Sequence, residues 1–265
     1  MSHSLSALPL RTMQQSGDMM VHHAAAWAIE DDAKMPIILP DILGYNDSIQ
    51  ADSPIVWLGT PADGDFSSLF YFLNDEEKVN ILRLRDRKDQ WSVASARVAA
   101  RILLSRYLNC PAQDIAIIRD NYGKPWLDSA RHGDIAKQIY FSISHTRELV
   151  AIAVGRSRVG IDVEIVRKFP DLMQVATMQF AQEMIHDLLS AQSEAERVEL
   201  FYRFWTLGEA FIKATGEGMA QGLQSFAFSA CERPALKRVS NFWGPTDRWS
   251  FGVMRCGSLP AVSQS

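Results

Sequence analysis

The sequence predicts an α+β protein built as a pseudo-dimer of two similar α/β lobes, with the working site in the cleft between them. Three observations carry that expectation. A chain of 265 residues that is 47% apolar can bury a substantial core. β-branched runs of strand length alternate with long segments in which apolar residues recur at helical spacing. The order strand, helix, longer helix, strands occurs in both halves, so each half reads as one unit of about 100 residues. A cleft between similar lobes suits a ligand that takes groups from both.

The elements follow in order. Residues 1–52 mix Ser, Gln, Met, Asp and Pro without a clear period, and read as an N-terminal extension or a loosely packed cap. Lobes are expected over 53–157 and 158–265. Ile55 to Leu58 forms a short strand after Pro54. Asn74 opens a helix, with Glu77 at the reciprocal capping-box position. A basic stretch follows (Arg83, Arg85, Arg87, Lys88), and then a helix over Val93 to Leu108, with Val93, Ala96, Ala100, Leu103 and Leu104 as its apolar stripe. The turn Asn121 to Pro125 leads into a β-rich block, Ile139 to Val154. The second half gives a strand over 161–166, a helical stretch over 171–190, a helix over 194–215 ended by Gly216, and strands near 224–229 and 249–254.

Composition excludes several classes of function. A net charge of −4 and an isoelectric point near 5.9 argue against a dedicated nucleic-acid binder. Cys110, Cys231 and Cys256 form no C-x-x-C pair and suggest buried, reduced thiols rather than disulfides or zinc. The first twenty residues hold a lone Arg11 and no signal-peptide core, and the apolar run Leu149 to Val154 is too short to span a bilayer. A soluble cytoplasmic protein is expected, without nucleic acid or membrane as partner. The Met-rich patches (Met19, Met20, Met173, Met178, Met184) read as packing, and His22, His23 and His186 as structural.

Two acidic patterns point to chemistry. Asp162 and Glu164 lie two residues apart in a β-branched run, so a strand aims both carboxylates the same way. Trp205, Glu209 and Lys213 recur every four residues, along one stripe of a helix. Singly, each has an ordinary reading. The first is the solvated face of an edge strand; the second is a surface ion pair worth about 0.3 kcal/mol. Together, three carboxylates can hold one hard divalent cation, and the lysine one turn on can neutralise a phosphate bound to it. Ser144 and His145 stand where a strand should end, able to donate to phosphate oxygens or to serve as turn cap and solvated imidazole. Gly123-Lys124-Pro125 is a stiff turn that could present backbone to a base edge and a lysine to a phosphate, or simply a solvated turn.

In this order and at these spacings the patterns resemble the 4′-phosphopantetheinyl transferases, specifically the larger, monomeric surfactin-type group. The family motif G-[IV]-D-[IVL]-E reads GIDVE from Gly160, and W-[ST]-x-K-E-[AS]-x-x-K-x-x-G-x-G reads WTLGEAFIKATGEG from Trp205. The G-K-P loop matches Gly123 to Pro125, I-S-H-[ST] matches Ile143 to Thr146, and A-R-x-x-x-R matches Ala96 to Arg101. The resemblance runs from about Ile55 to Phe251. It implies a pseudo-dimeric α+β fold that binds coenzyme A and Mg²⁺ between its lobes. It implies transfer of the phosphopantetheine arm to a serine of an apo acyl or peptidyl carrier protein, leaving 3′,5′-ADP. Asp162, Glu164 and Glu209 would hold the metal, Glu209 would serve as base, and Lys213 would offset charge on the leaving phosphate. Ser144, His145 and Arg119 would contact phosphates or nucleotide, with Gly123, Lys124 and Pro125 near the adenine.

Three positions depart from the pattern. Gly208 replaces a lysine, and Asn80 and Trp91-Ser92 stand where basic residues are usual. Arg83, Arg85 or Lys88 are the expected substitutes for binding the 3′-phosphate. Those departures keep open a member that binds coenzyme A or carrier protein without transfer. A Mg²⁺-dependent phosphohydrolase and a plain interaction domain are the other readings of the same residues.

Overall fold

The computed structural model describes residues 11–12, 22–30, 37–39, 54–61, 67–218, 222–229, 231 and 233–257. The strands are β1 (Arg11–Thr12), β2 (His22–Ile29), β3 (Ile37–Leu39), β4 (Ile55–Thr60), β5 (Ile117–Arg119), β6 (Pro125–Leu127), β7 (Tyr140–His145), β8 (Val150–Gly155), β9 (Val159–Ile165), β10 (Ala227–Phe228), β11 (Leu236–Arg238) and β12 (Ser250–Gly257). The helices are α1 (Ser67–Phe70), α2 (Asp75–Leu82), α3 (Arg87–Leu108), α4 (Ser129–His132), α5 (Leu172–Gln179), α6 (Gln182–Leu189) and α7 (Glu194–Thr215). The α+β class read from the sequence is the one found.

Two sheets lie at the centre. One runs β1-β4-β8-β7, with β3 added alongside β4; the other runs β12-β2-β9. Alternate residues of β4 and β8 (Val56, Leu58, Ala151, Ala153) pack on alternate residues of β2 and β9 (Ala25, Trp27, Ile161, Val163), so the sheets meet face to face. The outer face of the first sheet carries α3, through Trp57, Ile152, Leu103 and their neighbours. The outer face of the second carries α7, through Ala24, Ala26, Ala28, Leu207 and Phe211. Helix, sheet, sheet, helix is the resulting layer order.

Local sequence accounts for the helix ends. The Asn74 side chain accepts from Glu77 N–H at 2.8 Å, while Glu77 accepts from Asn74 N–H at 3.1 Å, the reciprocal cap expected from the sequence. Helix α7 covers the expected span of 194–215, with Ser193 capping its start and Gly216 in the left-handed conformation at its end. The expected helix over 171–190 is two helices instead, broken at Phe180 and Ala181, which are both extended and buried.

Three expectations need correction here. Residues 22–29, within the segment read as an extension or loose cap, form the middle strand of the second sheet, paired with β9 on one side and β12 on the other. Both of its faces are covered, one by α7 and one by the first sheet, so no polar and apolar alternation marks it as a strand. Only Cys256 is fully buried among the thiols; Cys110 is partly so and Cys231 is exposed. Met184 is core as expected, whereas Met178 is exposed, and Met19 and Met20 lie outside the described residues. No helix of the described residues is long and apolar enough to cross a membrane.

Gly160 sets the distance between β9 and α7. A Cβ there would stand 1.8 Å from the Ala210 carbonyl oxygen and 2.6 Å from the Ala214 nitrogen, both backbone atoms. Gly160→Ala should therefore destabilise the protein by about 3 kcal/mol or more, since the helix must move to admit one methyl group; urea unfolding against wild type measures it. A change under about 0.5 kcal/mol would mean that α7 does not rest on this strand.

Candidate active site

The site begins at the seam where the edge strands β7 and β9 of the two sheets come together. No ladder of backbone hydrogen bonds pairs these strands. Serine hydroxyls do that work: Ser142 Oγ accepts from Ile161 N–H at 3.1 Å, and Ser144 Oγ accepts from Val163 N–H at 3.3 Å. Between those two amides lies Asp162, 4% exposed. Ser144 donates to Asp162 Oδ1 at 2.9 Å, and Lys213 Nζ reaches the same oxygen at 2.7 Å and Ser144 Oγ at 3.0 Å. A hydroxyl has one proton and two lone pairs, so Ser144 is saturated. It acts as a bridge between the sheets, and has no proton left for the phosphate contact expected of it.

Asp162 Oδ2 is buried and has no hydrogen-bond partner among the described residues. Glu164 lies on the same face of β9, partly buried, and burial followed by the charge of Asp162 pushes its carboxyl up to about 7, against the pull of Lys213 and a Trp205 hydrogen bond. Burial, and then Asp162, also raises Glu209. The three acids named by the sequence thus sense one another across the strand and helix, and the stripe Trp205–Glu209–Lys213 faces them as its spacing required. They are not drawn together as a ready metal cluster: no group of three or more His, Cys, Asp or Glu is placed to hold an ion among the described residues. Lys213 takes Asp162 Oδ1 itself. A buried, unpartnered carboxylate oxygen between two acids of raised pKa is nevertheless a donor set that fits a hard cation.

Beside the acids opens a cleft of about 500 Å³, lined by Arg97 of α3, by Arg119 and Tyr122 to Pro125, by Ile143 and His145, and by Glu209, Ile212, Lys213 and Gly216. Its cations are Arg97, Arg119, Lys124 and Lys213, drawn from both halves. Arg119 donates to Gly123 O at 2.7 Å, which steadies the β5–β6 loop. The Lys124 ammonium does not point freely into the cleft but donates to the carbonyls of Lys213 and Ala214 at 2.7 and 3.0 Å. A second cavity of about 620 Å³ shares His145 with the first and is lined also by Glu164, Ser92, Arg147, Arg167 and Tyr202.

His145 joins the two spaces, and Ser92 sets its proton. The Ser92 hydroxyl contacts both Thr146 O and, at 2.8 Å, His145 Nδ1. A carbonyl can only accept, so the serine proton goes to Thr146 and the imidazole must donate from Nδ1. Burial, then the charges of Lys213 and Arg97, press the pKa of His145 down. The imidazole is therefore neutral, with Nε2 as an acceptor.

Arg97, not singled out as a site residue from the sequence, lines the cleft; Arg83, Arg85 and Lys88, the expected substitutes for basic residues absent at Asn80 and Trp91-Ser92, do not. Arg97 stands in the sequence as the first arginine of the A-R-x-x-x-R match, beside the apolar stripe of α3. Its partner Arg101 is buried and spent on Glu77 at 2.8 Å. Asn80 is exposed on α2. Gly208 is corrected as well. It faces neither cleft nor solvent, for a Cβ there would meet Leu223 at 2.4 Å and Phe226 at 3.4 Å inside the core behind α7.

The cleft walls carry four cations, Arg97, Arg119, Lys124 and Lys213, together with one of the acids, Glu209. Comparison with known proteins gives the family. Residues 57–157 match the family described as 4′-phosphopantetheinyl transferase, N-terminal, and residues 158–254 match the 4′-phosphopantetheinyl transferase superfamily. The chain is 32% identical to slr0495 of Synechocystis sp., whose name assigns it provisionally to this family, over 64% of this chain and 68% of the relative. It is 30% identical to the 4′-phosphopantetheinyl transferase gsp of Aneurinibacillus migulanus, over 61% and 63%. With the 4′-phosphopantetheinyl transferase Sfp of Bacillus subtilis it shares 28%, over 59% and 66%. The chain belongs to the 4′-phosphopantetheinyl transferases, of the surfactin type.

The raised pKa of Glu164 has a stability consequence of fixed sign. A carboxyl that ionises near 7 when folded and near 4.5 when unfolded contributes stability that is full below about pH 4.5 and lost as pH rises through about 7. Glu164→Gln should then leave thermal stability nearly unchanged at pH 4 and raise it by about 1–2 kcal/mol at pH 8, allowing for the partly solvated edge of the side chain. Melting curves at both pH values, in chelator, check this; equal effects at the two would show that Glu164 is not strained by its neighbours.

Proposed function

We propose that this protein moves the 4′-phosphopantetheine arm of coenzyme A onto a serine of an apo acyl or peptidyl carrier protein, releasing 3′,5′-ADP. On this reading Mg²⁺ is held by Asp162, Glu164 and Glu209, and the protein works as a cytoplasmic monomer. The observation that carries the proposal is the buried, unpartnered Asp162 Oδ2, flanked by two acids of raised pKa at the end of a cationic cleft. When bound, a divalent cation there neutralises the carboxylates and polarises the pyrophosphate oxygens of the substrate.

The side chains divide the remaining work. Arg97 and Arg119, from α3 and β5, line the space for the nucleotide phosphates; burial, and then Glu77, govern Arg97, which stays cationic at any physiological pH. The loop Gly123 to Pro125 offers backbone groups to the adenine. Lys213 Nζ has three protons, two of them used on Asp162 and Ser144, and the third answers charge that builds on the leaving phosphate. Glu209 is made more basic than a solvated carboxylate, which suits removal of the carrier serine proton. Such a reaction rests on alignment and charge neutralisation, and needs no protein nucleophile.

The burial of Gly208 bears on the alternative of a member that binds without transferring. A missing lysine that would have pointed into the core supplies no evidence of a weakened nucleotide site.

Incubation with coenzyme A and a panel of apo carrier proteins, followed by intact-protein mass spectrometry with and without EDTA, tests the proposal. Asp162→Asn keeps the shape at the seam while removing the charge. It should lower transfer at least about 100-fold and cost on the order of 1–3 kcal/mol of stability. Lys213→Ala should lower kcat more than it raises KM for coenzyme A. Wild-type transfer by either variant, or transfer undiminished by EDTA, would sink the assignment.

A further inference from the structure

Lys124 has been cast so far as a lysine near the nucleotide, yet its ammonium is fully engaged elsewhere. It donates to Lys213 O at 2.7 Å and to Ala214 O at 3.0 Å. These carbonyls belong to the last turn of α7, whose acceptors find no amide within the helix and whose dipole presents negative charge. Arg158 takes the next one, Thr215 O, at 2.8 Å. The remaining charge of Lys124 lies 4.8 Å over the Trp126 ring. Room for the arrangement is left at Gly216, where a Cβ would come within 3.1 Å of Lys124 Cδ and 3.2 Å of its Nζ.

The loop that carries Lys124 is stiff. Asp120 Oδ1 accepts from the Tyr122 and Lys124 amides, both at 2.9 Å, and Asp120 Oδ2 accepts from Trp126 Nε1 at 2.8 Å. Whatever fixes Lys124 therefore fixes residues 119–125 as a body. Lys213, whose carbonyl it holds, is the residue whose ammonium meets Asp162.

We propose that Lys124 is a positioning residue, a latch that fastens the nucleotide loop of one half to the end of the catalytic helix of the other, and not a phosphate ligand. The kinetic and affinity readouts of this proposal rest on coenzyme A being the substrate; the exchange readout does not. With the latch shut, the cleft has a fixed width, and the wall formed by Arg119 to Pro125 faces Glu209 and Lys213 at a set distance. The groups around the ammonium are Asp120 and Glu30, which favour its charge, and Arg158, which opposes it; burial and then Arg158 bring its pKa down to about 8. The latch is accordingly charged at neutral pH and loses its charge assistance above about pH 8.

Lys124→Met keeps the length of the side chain and removes both donors. In the ligand-free protein, hydrogen exchange at the amides of 120–124 and 213–216 should quicken about 10-fold. Affinity for adenosine and for 3′,5′-ADP should fall by one common factor of about 10, because loop placement and not phosphate contact is lost. The KM for coenzyme A should rise in the same proportion, and the fall of wild-type kcat/KM above about pH 8 should vanish from the variant's profile. Unchanged exchange, with affinity lost for 3′,5′-ADP but kept for adenosine, would overturn the latch and make Lys124 a phosphate ligand. A wild-type protein that binds neither coenzyme A nor nucleotide would overturn the functional reading instead, and exchange alone would then decide the latch. Should Lys124→Met fail to fold, Lys124→Gln, whose shorter side chain keeps an N–H₂ group but loses the charge, gives the same readouts at smaller amplitude.

Discussion

Asp162 Oδ1 is the point on which the molecule closes. Two edge strands, β7 and β9, are enclosed where water cannot serve their amides, and an unpaired strand edge inside a protein must find partners. Ser142 and Ser144 supply them from their side chains. Because Ser144 is thereby obliged to give its proton to Asp162, the seam between the sheets and the acidic end of the site are one structure. Lys213 completes it from α7, which can lie so close only because Gly160 has no side chain. Packing, sheet closure and the placement of charge depend on the same few atoms.

The charge arrangement is local. A net charge of −4 gives no general attraction for a polyanion, so on the proposed reading capture would fall to Arg97, Arg119 and Lys213 on the cleft walls. The acids beside it work in the opposite sense: burial, and then the charge of Asp162, holds the carboxyls of Glu164 and Glu209 above the ordinary range. On the proposed reading, a cation and a phosphorylated ligand arriving together would satisfy both sets at once, which neither could do singly.

Much of this was legible in the sequence, and for definite reasons. Glu194 to Thr215 is marked by its helical stripe and a terminal glycine, both of which the structure uses, and the structure adds Ser193 as its cap. The shared face of Asp162 and Glu164 follows from strand geometry alone, and the stripe of Trp205, Glu209 and Lys213 from helix geometry alone. What escaped depended on tertiary neighbours. The strand His22–Ile29 carries alanines toward one helix and Trp27 toward the other sheet, so both faces are apolar and the alternation that marks a half-buried strand is absent. Ser144 reads as a phosphate donor until Val163, Asp162 and Lys213 are seen to fill its bonding capacity. Gly208 looks like a lost charge until Leu223 is found against it.

The place of β2 has a consequence for how the chain assembles. Ile29 pairs with Val159 and with Ser250, so the second sheet draws its middle strand from one end of the sequence and an outer strand from the other. On the ribosome, α3, β7 and β8 emerge together and can collapse as a unit. Residues 22–29, by contrast, must stay unpaired and apolar until β9 appears, and lack their second neighbour until Ser250–Gly257 has been made. Long-range pairing of this kind slows folding and leaves a sticky edge exposed meanwhile. The alanine-rich composition of β2, which lets α7 approach in the finished protein, also makes that waiting strand less adhesive than a run of valine and isoleucine would be.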